Sequence, residues 1–466
     1  MNFTPSPKKE GELNMSRAVR QQLLSMTGSL ERANRVLKDA VSRTVINEEG
    51  VLQLLADCQE TAIMMGNEIE EVYGEDTDSV AKLEEYCESL YEMTLVVSNP
   101  VRRREMQKVL VNHLKQIRKA ISAEIPDRLE VVFLPYKASM WDSLESVWMA
   151  ADADEDCDAY VVPIPYYDKN PDGSFREMHY EGEEYPDYVP VTHYKEYDFS
   201  KRHPDIIFIH NPYDDCNYVT SVDPFFYSKN LKNFTSKLVY IPYFVLAEPD
   251  PDDPNVQENI GHFCIVPGVL HADQIIVQSE NMRKVYVDIL TKYTAESGFN
   301  RKYWEDRIQG LGSPKMDKVL STRKENVDVP GEWKKIIENE NGEWKKIILY
   351  NNSVSALLQH GDKMLLKMKD VFRIFKENKE EVALLWRPHP LIKATIESMR
   401  PELWERYEEI VKQYKEDGWG IYDDTAELER AIALSDAYYG DYSSLVQLCQ
   451  EAGKPVMIQD VEILDI

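Results

Sequence analysis

From about residue 16 to residue 122, apolar side chains return every three or four positions, the spacing of an amphipathic helix. In "VLQLLADCQETAIMMGNEIEEVYG", Val51, Leu54, Leu55, Cys58, Ala62 and Met65 fall on one face. "VAKLEEYCESLYEMTLVV" repeats the pattern with Val80, Leu83, Cys87, Leu90 and Thr94. "NPVRRREMQKVLVNHLKQIRKAI" repeats it with Met106, Val109, Leu110, Leu114, Ile117 and Ile121. The spacing predicts an antiparallel helical bundle or hairpin within a first region, residues 1–125, whose polar first 15 or so residues read as loose.

At Pro126 the period changes. Short apolar runs appear, "LEVVFLPY", "AYVVPIPYY", "DIIFIHNPYDD", "KLVYIPYFVL" and "DQIIVQS", with helical stretches between several of them. That alternation predicts a parallel sheet covered on both faces, over residues 126–311. The Tyr-, Pro- and acid-rich stretch from 168 to 200 reads as a long loop or insertion. A second alternating set fills residues 312–466, with strands near 346–350, 381–387, 419–422, 436–439 and 455–458. The heptapeptide "GEWKKII" occurs twice, at 331 and 342, too few and too short for a repeat architecture.

Composition narrows the function. Hydrophobic residues make up 43% of the 466, enough for sizeable cores, and the formal net charge is −28. Such an acidic chain is not a nucleic-acid binder, because phosphate binding needs clustered Lys and Arg. One basic stretch stands out: residues 102–119 carry seven Lys or Arg against one acid, Glu105. It is either a solvated face or a patch for a membrane surface or an acidic partner. The six scattered cysteines form no C-x-x-C pair and read as reduced thiols of a cytoplasmic protein. No signal-peptide core and no membrane span is read in the sequence.

In open parallel sheets, ligands sit beyond the carboxyl ends of strands, so the polar residues there are the candidates. "LLWRPHP" puts Arg387 and His389 at a strand end in a proline-stiffened turn. Arginine can grip a phosphate with two parallel hydrogen bonds, and histidine can donate to a phosphate oxygen or carry a proton. "SDAYYGDYSSLVQLCQEAGKPVMI" ends a strand at Gly440 and opens a helix with Asp441, Tyr442, Ser443 and Ser444. A helix start attracts anions, although Ser and Asp also cap helices for structural reasons alone. After the first strand of the middle region, Lys137, Ser139 and Asp142 either meet a substrate or cap a helix start.

The stretch 435–458 resembles the S-D-x-x-I-T-D-Y-S-S segment, with its following helix and strand, of the CDP-glycerol glycerophosphotransferase family of teichoic-acid synthesis. "GSPKMDKV" (312–319) is similar to that family's G-x-P-R-x-D-x-L, "KKIILYNNS" to its k-k-I-L-Y-A-P-T, and "WRPHP" to its Arg/His-bearing strand end. The matches run in the family's order over about 310–460. Upstream, only the layout and "ADQIIVQSENMRKVY" correspond. The resemblance implies a GT-B-like α/β fold, in which two Rossmann-like parallel-sheet domains (126–311 for the acceptor, 312–466 for the donor) face a cleft. It implies transfer of glycerol phosphate, or a similar polyol phosphate, from a CDP-linked donor to a hydroxyl of a cell-envelope or surface-glycan acceptor, with CMP leaving. His389 and Arg387 would hold the diphosphate, with Ser443, Ser444 and the backbone after Asp441 completing the cradle. No metal and no cofactor are implied.

Two departures follow. The family's H-G-T is absent, and Pro242 or Tyr243 stands near its place. His210, with Asp214 to orient it, is then the substitute base, and His262 a further candidate. The A-P-T segment has become Asn351, Asn352 and Ser353. Asn352 and Ser353 read as donor-site residues, together with Asp441, Tyr442 and Tyr243. Three functions remain open on the sequence: CDP-polyol transfer, nucleotide-sugar-dependent glycosyl transfer on the same fold, or a degenerate scaffold whose helical region serves self-association or docking. The expected place is the cytoplasm, with 102–119 as a possible contact to the inner face of the membrane.

Overall fold

The computed structural model describes residues 15–458 except residues 44 and 426, so most of the loose start read from the sequence lies outside the described residues. The chain divides into two compact units. One is Met1–Val131 with Asp154–Asp158 and Tyr197–Asp205; the other is Val132–Ala153, Ala159–Glu196 and Ile206–Ile466.

Among its described residues, the first unit is built on four long helices, α1 (Arg17–Ser42), α2 (Glu48–Tyr73), α3 (Asp78–Val96) and α4 (Pro100–Glu124). Each opens on a side-chain cap, from Ser16, Asn47, Thr77 and Asn99 in turn, which accepts a first-turn N–H. Their apolar stripes meet in one core that includes Leu23, Leu55, Leu83, Leu114 and Ile121. The predicted α2 face is buried at Val51, Leu55, Cys58, Ala62 and Met65, whereas Val109 of α4 is 39% exposed.

Arg103, within the basic stretch, is buried. Its guanidinium donates to the carbonyls of Val41 (3.1 Å), Val97 (3.3 Å) and Arg43 (2.9 Å). It thereby satisfies acceptors that the ends of α1 and α3 leave without intrahelical partners. Arg118 pairs with Glu31 at 2.9 Å. What faces outward along α4 includes Arg104, Lys108, Lys115 and Lys119. Among the described residues, no helix is long and apolar enough to cross a membrane.

Nine strands follow in the middle of the chain: β1 (Leu129–Leu134), β2 (Cys157–Val161), β3 (Tyr166–Lys169), β4 (Phe175–His179), β5 (Ile206–Ile209), β6 (Thr220–Val222), β7 (Lys237–Tyr240), β8 (Gln274–Val277) and β9 (Ile308–Gly310). Six of them form a sheet in the order β2-β1-β5-β7-β8-β9, in which β5, β7, β8 and β9 pair in parallel. The stretch read as a loop from 168 contains β4, which folds back on β3 in an antiparallel sheet with β6. Its residues are nearly all exposed, so no apolar alternation marks it in the sequence.

Five strands make the last sheet: β10 (Lys346–Asn351), β11 (Val382–Trp386), β12 (Ile421–Tyr422), β13 (Ala437–Gly440) and β14 (Val456–Ile458), in the parallel order β12-β11-β10-β13-β14. Alternate residues serve opposite cores. Ile347, Leu349, Ala383 and Leu385 face one, and Tyr350, Leu384 and Trp386 the other. The sheet is therefore covered on both sides, as its near-continuous apolar strands require. The chain runs from β10 outward to β12, then returns past β10 to β13. The strand order reverses there, and a crevice opens beyond the carboxyl ends of β10 and β13. The same reversal occurs in the first sheet between β1 and β5.

Candidate active site

Both reversals open on one cleft within the second unit. Its smaller lobe, a cavity of about 80 Å³, is lined by Ser139, Tyr243, Lys315, Asn351, His389 and the Ser443–Leu445 turn, among others. Its larger lobe, about 220 Å³, adds Lys137, Glu181, Glu184, Trp404, Tyr422 and Asp423. Arg387, Pro388, His389 and Pro390 line both lobes.

Gly440 allows the turn after β13 to sit so close to β10. Its φ is +144°, and a Cβ there would stand 2.1 Å from the Asn351 carbonyl oxygen. Past it, the Asp441 carboxylate accepts from Lys367 Nζ at 2.7 Å and from the Ser353 N–H at 2.9 Å. Asp441 thus ties the two strand-end turns together from beneath the cleft. Ser443 then caps the helix Ser444–Glu451, its Oγ accepting from the Leu445 N–H at 3.3 Å. The open start of that helix and the Ser444 hydroxyl line the small lobe.

The proline-stiffened turn fixes His389. Its Nδ1 accepts the Leu391 N–H at 3.1 Å, so the neutral ring carries its proton on Nε2. Burial, then the nearby Lys315 and Lys137 ammonium groups, push its pKa down to about 4. At neutral pH His389 is therefore an uncharged N–H donor, suited to a phosphate oxygen and unable to act as a base through Nδ1.

Arg387 differs from the sequence expectation of an open phosphate fork. It is 5% exposed, its Nη1 meets Asp423 at 2.5 Å, and its Nη2 donates to the Thr425 carbonyl at 2.7 Å. Two of its donors are committed to the wall of the cleft. Asn352 and Ser353 are likewise part of the scaffold rather than a donor site. Asn352 is fully buried and takes the Trp386 indole N–H at 2.7 Å, while Ser353 caps the next helix through the Ala356 N–H. Tyr442 is 60% exposed and lines neither lobe. The Asp441 side chain is fully engaged with the scaffold, as described.

The substitute base His210 is also corrected. It is 0% exposed, its Nε2 accepts the Tyr136 N–H at 3.2 Å, and its Nδ1 lies 2.8 Å from Ser143 Oγ. Both nitrogens are occupied, and burial pushes the pKa down to about 3. Asp214 does not orient it: that carboxylate accepts from the N–H and hydroxyl of Ser228. His262 is exposed and packs on Phe263. Tyr243 does line the small lobe, but burial raises its pKa well above the ordinary tyrosine value.

Three parts of the cleft carry more weight in the structure than in the sequence reading. Lys315, inside the quoted "GSPKMDKV", is 6% exposed, pairs with Asp142 at 2.8 Å, and lines the small lobe beside His389. Its place in a motif was the available signal. Glu181 and Glu184 come from the insertion, where nothing in the period of the sequence places them in a cleft. Lys137, whose pKa burial lowers, donates to the Tyr166 hydroxyl at 2.7 Å and lies 3.7 Å from Glu181. Outside the cleft, Asp168, Glu177 and His179 bring ligand-type atoms within 4.8 Å of one another; Asp168 is already bridged by His179 (2.9 Å) and Arg176 (3.1 Å).

The helix Pro314–Ser321 ties the flanks of the two sheets together by charge. Besides Lys315–Asp142, Lys318 pairs with Glu145 at 2.8 Å and approaches Glu429 at 3.7 Å. At the far edge of the cleft the β3–β4 hairpin reaches the helix Ile392–Met399, through Arg176–Glu397 at 3.5 Å and Ser398 Oγ to the Lys169 carbonyl at 3.4 Å.

Two doubly wound parallel sheets facing a common cleft, with a helical region at the start of the chain, define a GT-B-like α/β architecture. No family model matches the chain, and no curated protein does. Solved structures are similar to it in fold. The S. aureus MnaA–UDP co-structure is 13% identical over 71% of this chain and 78% of that one, with a TM-score of 0.42. A putative UDP-N-acetylglucosamine 2-epimerase from Listeria monocytogenes is 12% identical over 72% and 81%, with a TM-score of 0.38. The Methanocaldococcus jannaschii UDP-GlcNAc 2-epimerase in complex with UDP-GlcNAc and UDP is 10% identical over 71% and 83%, with a TM-score of 0.39. With TM-scores below 0.5, these likenesses carry no argument about this chain.

Proposed function

We propose that the chain is a transferase that takes a nucleotide-diphosphate-linked donor into the cleft. One observation carries this reading: His389, Lys315, whose ammonium is paired with Asp142 at 2.8 Å, and the start of the helix Ser444–Glu451 line one small cavity at the strand ends. Neutral donor, cation and helix start are three kinds of group that stabilise phosphoryl oxygens without a metal. The larger lobe, where Trp404, Tyr422 and the prolines stand beside Lys137, Glu181 and Glu184, leaves room for the acceptor.

Within that class, the ordered motifs of 310–460 favour a CDP-linked polyol, CDP-glycerol first. The acceptor hydroxyl attacks the β-phosphorus, the bond to the bridging oxygen breaks, and CMP leaves with that electron pair. The β-phosphate is held by His389 and Lys315, and positioning supplies most of the rate. The domain limits 126–311 and 312–466 belong to this reading, as acceptor and donor halves. An acceptor tethered at an anionic membrane would suit the outward Arg104, Lys108, Lys115 and Lys119 of α4.

The test is donor binding by calorimetry with CDP-glycerol, CDP-ribitol and UDP-GlcNAc. Binding of a CDP-polyol, lost in Lys315→Ala, is expected. Binding of UDP-GlcNAc alone would move the assignment to nucleotide-sugar chemistry on the same fold. Failure of all three at millimolar concentration refutes the transferase reading.

A further inference from the structure

Transfer to a hydroxyl needs a group to receive its proton, and the residues expected for that task are ruled out by geometry. His389 presents an N–H to the cleft, both nitrogens of His210 are occupied, and the Tyr243 hydroxyl is held protonated. The remaining candidates are the carboxylates of the large lobe: Glu181, Glu184, Asp423 and Asp424. Glu181 is engaged on both oxygens, by the Ala138 N–H at 2.8 Å and the Tyr166 hydroxyl at 2.6 Å. Asp423 holds Arg387 and Thr425. Asp424 pairs with Lys415 at 3.2 Å and is 64% exposed.

Glu184 is different. It ends the short turn Gly182–Glu184, and the next residue, Tyr185, is buried with its ring 5.8 Å from that of Trp141. That anchor holds the Glu184 side chain, itself accessible, at the wall of the lobe that also contains His389, Ser139 and Lys137.

We propose that Glu184 is the general base, taking the proton of the acceptor hydroxyl as that oxygen bonds to the transferred group. The inference rests on the transferase reading above. The O–H bond breaks to Glu184, the oxygen's electron pair forms the new bond, and the nucleotide leaves with the pair of the bond that breaks. Partial burial, then the charge of Glu181, raise the Glu184 pKa above its ordinary value, which brings it nearer the working pH of a base. Lys137 opposes that rise and keeps the carboxylate ionised. Lys137 and Glu181 act on Glu184 through their charges.

The experiment measures CMP release from CDP-glycerol, with glycerol 3-phosphate as acceptor, for the full chain, Glu184→Gln and Glu184→Asp, across pH 4.5 to 9. UDP-GlcNAc with UDP release is run in parallel. Glu184→Gln is expected to lose about 10²-fold or more in kcat, the usual scale for a general base. Donor Kd should stay within about threefold of wild type, and the acidic limb of kcat/KM should vanish. Glu184→Asp should keep that limb at reduced kcat, which a merely structural role would not produce. Wild-type turnover with Glu184→Gln equally fast, acidic limb intact, overturns this inference and leaves the transferase reading standing. Absence of turnover and of donor binding in the wild type overturns both.

Discussion

The buried Lys367–Asp441 pair gives the sharpest test of how the cleft is built. Lys367 is 1% exposed and Asp441 5%, with 2.7 Å between ammonium and carboxylate. Replacing Lys367 by Met keeps most of the volume and removes the cation. Asp441 retains the Ser353 N–H but is left as a buried charge without its counter-ion, a change that costs about 3–5 kcal/mol. For a unit of more than 300 residues each kcal/mol moves Tm by about 1.5 °C, so a fall of about 4–8 °C is expected by calorimetry at pH 7. Asp441→Asn in the same background removes the stranded charge, and the double variant should recover at least about half of the loss. Since Asp441 also holds the turns that carry Ser443 and Asn351, Lys367→Met should, on the proposed function, weaken donor binding as well. A cost under about 1 kcal/mol, or a double variant no better than the single, would refute this account of the pair.

Other expectations concern pH and backbone. His389 and His210 are both held neutral, with pKa values pushed from 6.5 to about 4 and about 3. The unfolded chain therefore binds more protons, and their contribution to stability, complete above pH 6.5, should fall as pH drops toward 4. His389→Gln should flatten that slope by up to one proton, read from urea unfolding across pH. Glu429 behaves oppositely: burial raises its pKa from 4.5 to about 7, so its contribution is complete below pH 4.5 and lost as pH rises through 7. Glu429→Gln is thus expected to be neutral or stabilising by up to ~2 kcal/mol at pH 8, and without effect at about pH 4. Gly440→Ala, with its Cβ against the Asn351 carbonyl, should cost several kcal/mol and abolish donor binding, checked by thermal unfolding and calorimetry.

Much of the architecture was legible because period tracks burial. Residues 346–350 and 436–439 read as strands from apolar continuity, and both lie in the middle of a sheet covered on two sides. The heptapeptide "GEWKKII" shows the limit. One copy is the helix Gly331–Ile337, and the other runs into β10, so neighbours decided what local sequence did not. Which residues end the strands was legible, and what each side chain faces was less so. His389, Ser443 and Ser444 do line the cleft, but a sequence does not show which side of a strand end a short polar chain faces. Asn351 faces the cleft while Asn352, one residue on, turns into the core to meet Trp386. Arg387 reads as a ligand hand until Asp423, 36 positions away, is seen to hold it. Glu184 was out of reach because its turn has no periodicity and is held by a tyrosine wedge.

The ties between the two sides of the cleft differ in strength from one end to the other. At the helix Pro314–Ser321 they are shielded from water, with Asp142 and Glu145 at 5% and 3% side-chain exposure. At the β3–β4 hairpin the tie is a partly hydrated arginine pair, 39% and 25% exposed, and one long hydroxyl contact. Ions in water hold each other weakly, and shielded ones resist separation. Any breathing of the cleft should therefore swing like a book from its spine, with the lysine-bearing helix as the binding and the hairpin as the edge that lifts.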